Sequence, residues 1–122
     1  MDESQSPSHD WRAQLSGHAG DHKETLIAIS DAFLEEVPML IERIRAAAAS
    51  GDSRTLRTAA HTLKSCFRYV ASDEDINAAA QVEKDADSPG KVTQQQIDHL
   101  DQLGKDWCQR VSRLKAETAR SM

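Results

Sequence analysis

Apolar side chains recur at steps of three and four through the first half of the chain: Leu26, Ile29, Phe33, Val37, Leu40, Ile41, Ile44 and Ala48. That period lays one stripe along an α-helix and is incompatible with a strand, whose faces alternate every second residue. The run predicts one long amphipathic helix over residues 21–50, closed by Gly51 just past its end. Pro38 lies inside it, and its ring opposes the carbonyl of Leu34, so a bend is expected there.

The same reading extends along the chain. A helix over residues 52–70 starts from Asp52 as N-cap. Another starts at Ser72, capped by the serine hydroxyl, with Asp73, Glu74 and Asp75 favourable in its first turn and Ile76, Ala79, Ala80 and Ala86 on its buried side. Ser88-Pro89-Gly90 reads as a turn. Thr93 to Gln96 forms a capping box that opens a last helix with the stripe Ile97, Leu100, Leu103, Trp107, Val111 and Leu114, fraying toward Met122. Only 4% of residues are aromatic, and alanine, leucine, glutamine and charged residues dominate, which leaves little material for a sheet. The fold class is therefore all-α: an antiparallel four-helix bundle over residues 21–118. Residues 1–20 form a flexible N-terminal segment with a short extra helix at Trp11–Leu15, where Trp11 lids the core.

Composition excludes several functions. A net charge of −5 is wrong for general nucleic-acid binding. No apolar run is long enough to span a membrane, and the start of the chain lacks the basic-then-apolar form of a signal peptide. Cys66 and Cys108 show neither metal spacing nor a disulfide framework and read as reduced, mostly buried thiols of a cytoplasmic, monomeric protein. His18, Asp21 and His22 lack a further strong ligand for a metal, and no Gly-rich phosphate loop or nucleophile elbow occurs.

Residues 53–72 contain no acidic side chain, although the chain carries 20. On a helical projection at about 100° per residue, Leu56, Ala59, Ala60, Leu63, Cys66, Phe67 and Val70 fall on one stripe. His61, Arg54, Arg57, Lys64 and Arg68 fall on the opposite, wet side. A neutral imidazole has a lone pair free to take a phosphoryl group, and neighbouring cations stabilise the charge that spreads over the transferring oxygens. A phosphohistidine on a convex helix surface is open to another protein's active site. The residues therefore describe a phosphate carrier rather than an autonomous enzyme.

Ala60-His61-Thr62-Leu63-Lys64 resembles the core of histidine-containing phosphotransfer (HPt) domains of two-component phosphorelays, roughly A-H-x-L-K-G. Phe33, Glu36 and Pro38 resemble the family's upstream helix, and Gly51-Asp52 with Leu56 resembles its approach to the histidine. The resemblance covers residues 22–115. It implies that His61 is the phosphoacceptor, through Nε2, and that Lys64 contacts the phosphoryl oxygens, with Arg68 seven residues beyond the histidine. Glu83, 22 residues after His61, matches a position that hydrogen-bonds the other ring nitrogen and holds its tautomer. Two family glycines are replaced, by Ser65 and Ala71; Ala71 is strained if its position needs positive φ.

The resemblance further implies response-regulator receiver domains and a hybrid histidine kinase as partners. Mg²⁺ belongs to the receiver, and this chain has no cofactor of its own. Docking is expected to bury an apolar patch beside His61, with Arg57, Ser65, Phe67 and Tyr69 at the partner-binding surface. The rival reading is a non-phosphorylated helical docking module that binds a receiver or a kinase, and Ser65 and Ala71 are the residues that favour it.

Overall fold

The computed structural model describes residues 9–122, all in helices, turns and short connections. A short helix α1 (Trp11–His18) precedes four longer ones: α2 (Lys23–Ser50), α3 (Ser53–Phe67), α4 (Asp73–Asp85) and α5 (Gln94–Arg120), with a 3₁₀ turn at Pro89–Lys91. Residues 1–8, part of the expected flexible segment, lie outside the described residues. α2 packs on both α3 and α5, α3 on α4, and α4 on α5, which closes a ring of four antiparallel neighbours.

Local chemistry sets the helix ends. Gly51 adopts φ 74°, the left-handed conformation that lets the chain turn out of α2 at no steric cost. Asp52 then caps α3: its carboxylate accepts from the Thr55 N–H at 3.1 Å and from the Thr55 hydroxyl at 2.7 Å. Those bonds hold the Asp52 carboxyl below its ordinary range. At α5 the capping box is complete, with Gln96 N–H donating to Thr93 Oγ1 at 3.1 Å and Thr93 N–H to Gln96 Oε1 at 2.8 Å. Ser72 occupies the N-cap of α4, but its hydroxyl makes no capping bond. Three acidic residues in the first turn serve that end of the helix instead. α3 stops at Phe67, three residues before the expected limit, in a turn where the Ala71 N–H donates to the Phe67 carbonyl at 2.7 Å. Ala71 is buried and has ordinary backbone, since Asp21 is the one positive-φ non-glycine among the described residues.

α2 runs unbroken through Pro38, which lies on its exposed side, where water can meet the carbonyl that proline leaves unpaired. The core joins Phe33, Val37, Ile41 and Ile44 of α2 to Leu56, Leu63 and Phe67 of α3, Val82 of α4, and Leu100, Trp107 and Val111 of α5. Trp11 packs edge-on against Trp107 at 5.7 Å between centroids, so α1 covers one end of this core. Leu103 is only half-buried, and Gly104 takes the buried place on α5. A Cβ at Gly104 would overlap Ile41 Cδ1 and come within 3.2 Å of Val37 Cγ1. The glycine therefore sets how closely α5 approaches α2. No helix of the described residues is long and apolar enough to cross a membrane.

Ser30 is fully buried on α2, and its hydroxyl has no hydrogen-bond partner among the described residues. Removing a buried, unsatisfied hydroxyl recovers its desolvation penalty, and alanine is the better helix former. Ser30→Ala should therefore stabilise the fold by about 1 kcal/mol and raise Tm by about 4 °C. A lower Tm in calorimetry would show that the hydroxyl is satisfied after all. Gly104→Leu should cost about 3 kcal/mol by overpacking the α2–α5 contact, read as a fall in the urea midpoint at unchanged m-value.

Candidate functional site

The alternation of buried and exposed residues on α3 places the site at the margin of the core. Ala60 and Leu63 are fully buried, so the residues that follow them, His61 and Lys64, emerge at the edge of the stripe. On α4 the same logic applies: Val82 is fully buried and Glu83 follows it. Packing α3 on α4 brings these margins together.

Glu83 bridges them. Its Oε2 lies 2.8 Å from His61 Nδ1, and its Oε1 accepts from Lys64 Nζ at 2.6 Å. A carboxylate can only accept, so the shared hydrogen sits on Nδ1, and in the neutral ring the lone pair is on Nε2. The His61 side chain is 58% exposed, whereas Lys64 and Glu83 are 16% and 23% exposed. Burial pushes the Glu83 carboxyl up, but the hydrogen bonds and charges of Lys64 and His61 outweigh it and hold the group below the usual carboxylate range. The result is a fixed acceptor behind a ring that is more than half exposed to water.

The other sequence-selected residues are distributed around this centre. Arg57, one turn before His61, forms an ion pair with Asp87, a residue the sequence reading did not single out. Arg68 is exposed at the C-terminal cap of α3, and its carbonyl accepts from Gln14 Nε2 of α1 at 2.7 Å. The Ser65 hydroxyl donates to the His61 carbonyl at 3.2 Å, which occupies its hydrogen away from the ring. Phe67, expected at the edge of the docking patch, is fully buried in the core and offers no surface. Its position on the apolar stripe of α3 outweighs its nearness to His61 in sequence. Tyr69 is exposed and stacks edge-on against His18 of α1 at 4.8 Å between centroids.

Tyr69 and Ser65 also line an open groove of about 260 Å³ between α2 and α3, together with Ile29, Phe33, Glu36 and Cys66. Ile29 and Phe33 read as plain core in the sequence, because the register of α2 on α3 is not written in either helix alone. Cys66 is half-buried in that groove wall, and burial, with Glu36 and Cys108 adding to it, pushes its thiol up to about 11. It is a protonated bystander at neutral pH. Among the described residues, no three His, Cys, Asp or Glu side chains gather as a metal site.

No curated protein sequence matches this chain. The crystal structure of histidine-containing phosphotransfer protein B (HptB) from Pseudomonas aeruginosa PAO1 is similar to it, with a TM-score of 0.78 and 16% identity over 93% of this chain and 98% of that one. At that identity the likeness shows a shared all-helical fold. The Hpt domain family model matches residues 28–117, a span that holds the bridged histidine, its lysine and its glutamate. The chain therefore belongs to the Hpt domain family, whose role is phosphotransfer in two-component signalling.

Proposed function

We propose that the chain is a phosphorelay intermediate: His61 accepts a phosphoryl group from the aspartyl-phosphate of one receiver domain and passes it, reversibly, to another. A hybrid histidine kinase feeds the first receiver, and a response regulator carries the second. One observation supports this above the rest. The Nδ1 edge of His61 is held by Glu83 while the ring is more than half exposed, so Nε2 can enter a partner's active site. The reading takes the chain as a cytoplasmic monomer that binds neither nucleic acid nor membrane.

The Nε2 lone pair attacks phosphorus, the bond to the aspartyl oxygen breaks, and its electron pair leaves on the carboxylate. The ring keeps its Nδ1 hydrogen and becomes cationic. Glu83, acceptor to that hydrogen, offsets the charge. In the reverse direction the cationic ring is a good leaving group. Mg²⁺ and the acidic cluster that holds it belong to the receiver, and this chain supplies the nucleophile, its tautomer and nearby positive charge.

Two observations weigh toward the carrier reading over the docking-module alternative. Ala71 is unstrained, and the Ser65 hydroxyl turns to the His61 carbonyl, so neither obstructs the exposed edge of the ring. Mixing the chain with a phosphorylated receiver should give an acid-labile, base-stable label that is absent from His61→Gln. Label that persists in His61→Gln refutes the site, whereas tight binding with no label favours the docking module.

Glu83 also makes a pH prediction. Its folded carboxyl lies below the ordinary 4.5, so the stability it contributes is present above that pH and is lost as pH falls through the folded value. Glu83→Gln should be less stable than the natural chain by about 1 kcal/mol at neutral pH. That gap should close on acidification below the ordinary carboxylate range. Urea midpoints of the two proteins measured against pH test this, and a gap that persists in acid would contradict it.

A further inference from the structure

Two cations flank His61 on α3, and each is held by a carboxylate from the α4 side. Lys64 pairs with Glu83, and Arg57 pairs with Asp87, four residues beyond Glu83 and just past the end of α4. The two pairs differ in how firmly they are held. Lys64 is largely buried, and its partner is the same carboxylate that fixes the imidazole. Withdrawing Lys64 would strip Glu83 of a hydrogen bond in a partly desolvated place, which is costly. Arg57 and Asp87 are 48% and 72% exposed, and such a pair is worth at most about 1 kcal/mol.

A phosphoryl group on Nε2 brings a charge of about −2 and three strong acceptor oxygens. It therefore competes for a guanidinium better than one solvated carboxylate does. Arg57 precedes His61 by four residues, so the two side chains are neighbours on one helix face. Its planar fork can take two phosphoryl oxygens at once, which an ammonium already committed to Glu83 cannot do.

We propose that Arg57, rather than Lys64, is the principal phosphoryl-binding cation of this chain, and that Asp87 is a positioning residue that holds Arg57 in reserve until His61 is phosphorylated. The proposal rests on His61 as phosphoacceptor, but its test needs no receiver. Phosphoramidate can load the full chain directly: Nε2 bonds to phosphorus and ammonia leaves. The His61 signal in ³¹P NMR is the one missing from His61→Gln, and its titration reports the proton affinity of the phosphoryl group.

A guanidinium beside the phosphoryl group favours its dianion. Arg57→Ala should therefore raise that proton affinity about two- to fivefold, the range an exposed ion pair supports. Asp87→Asn, which releases Arg57, should lower it, and the effect of Asp87→Asn should largely vanish in the Arg57→Ala background. In the natural chain the Arg57 Nε–H resonance should move when His61 is loaded. An unmoved resonance, an Asp87→Asn effect that persists without Arg57, or a larger effect of Lys64→Met than of Arg57→Ala would each overturn the assignment. A chain that loads from phosphoramidate but exchanges nothing with receivers would instead sink the relay reading and leave this result standing.

Discussion

The site depends on one carboxylate with two partners. Glu83 accepts from Lys64 with one oxygen and from His61 with the other, and neither partner alone would define the ring. Burial pushes the Glu83 carboxyl up, and the hydrogen bonds and charges of Lys64 and His61 outweigh it and hold the group below its ordinary range. An ionised Glu83 in turn fixes the hydrogen on Nδ1 and so directs the lone pair outward. The tautomer of His61 is thus set by an ion pair between two helices, and that contact exists only because the helices pack.

That packing is what the apolar stripes supply. Ala59, Ala60 and Leu63 on α3, Ala79 and Val82 on α4 and Ala86 at its C-cap are all buried, and alanine at most of these places lets the backbones come close. Each polar group of the bridge stands immediately after a buried residue, so it emerges at the seam rather than on the outer face. Gly104 plays the matching part across the bundle, where α5 closes on α2. The core and the site are therefore aspects of one pattern: the width of the apolar stripe decides which side chains stay dry, which are half-sheltered and which meet a partner.

Much of this is legible from sequence where it is local. His61 and Lys64 lie on one helix, so helical spacing places both off its apolar stripe without knowledge of the fold, but only His61 stays in water: Lys64, expected on the wet side, is sheltered where α3 meets α4. Gly51, Asp52 and the Thr93 capping box act within a few residues and read equally well. Glu83 lies on a different helix and was reachable only through its spacing in a resembling family. Asp87 and Gly104 depend on the register of one helix against another, which single-helix periodicity does not contain. Phe67 shows the same limit from the other side: its angle on the helix already placed it with the core, and its closeness to His61 in sequence was the weaker guide. Ser72 shows that a residue can hold a capping position while its hydroxyl makes no cap.

Burial is graded across the site, and the gradient sorts the groups by what they can do. The imidazole is the exposed member of the Glu83 bridge. Lys64 and Glu83, sheltered on the seam, form a fixed background charge. Arg57 and Asp87, the more exposed pair, form a contact worth at most about 1 kcal/mol. Cys66, five residues beyond His61, completes the contrast: burial, with Glu36 and Cys108 adding to it, pushes its thiol up to about 11 and leaves it protonated at neutral pH. Depth at the helix seam thus separates the sheltered Lys64–Glu83 pair from the exposed Arg57–Asp87 pair on either side of one imidazole.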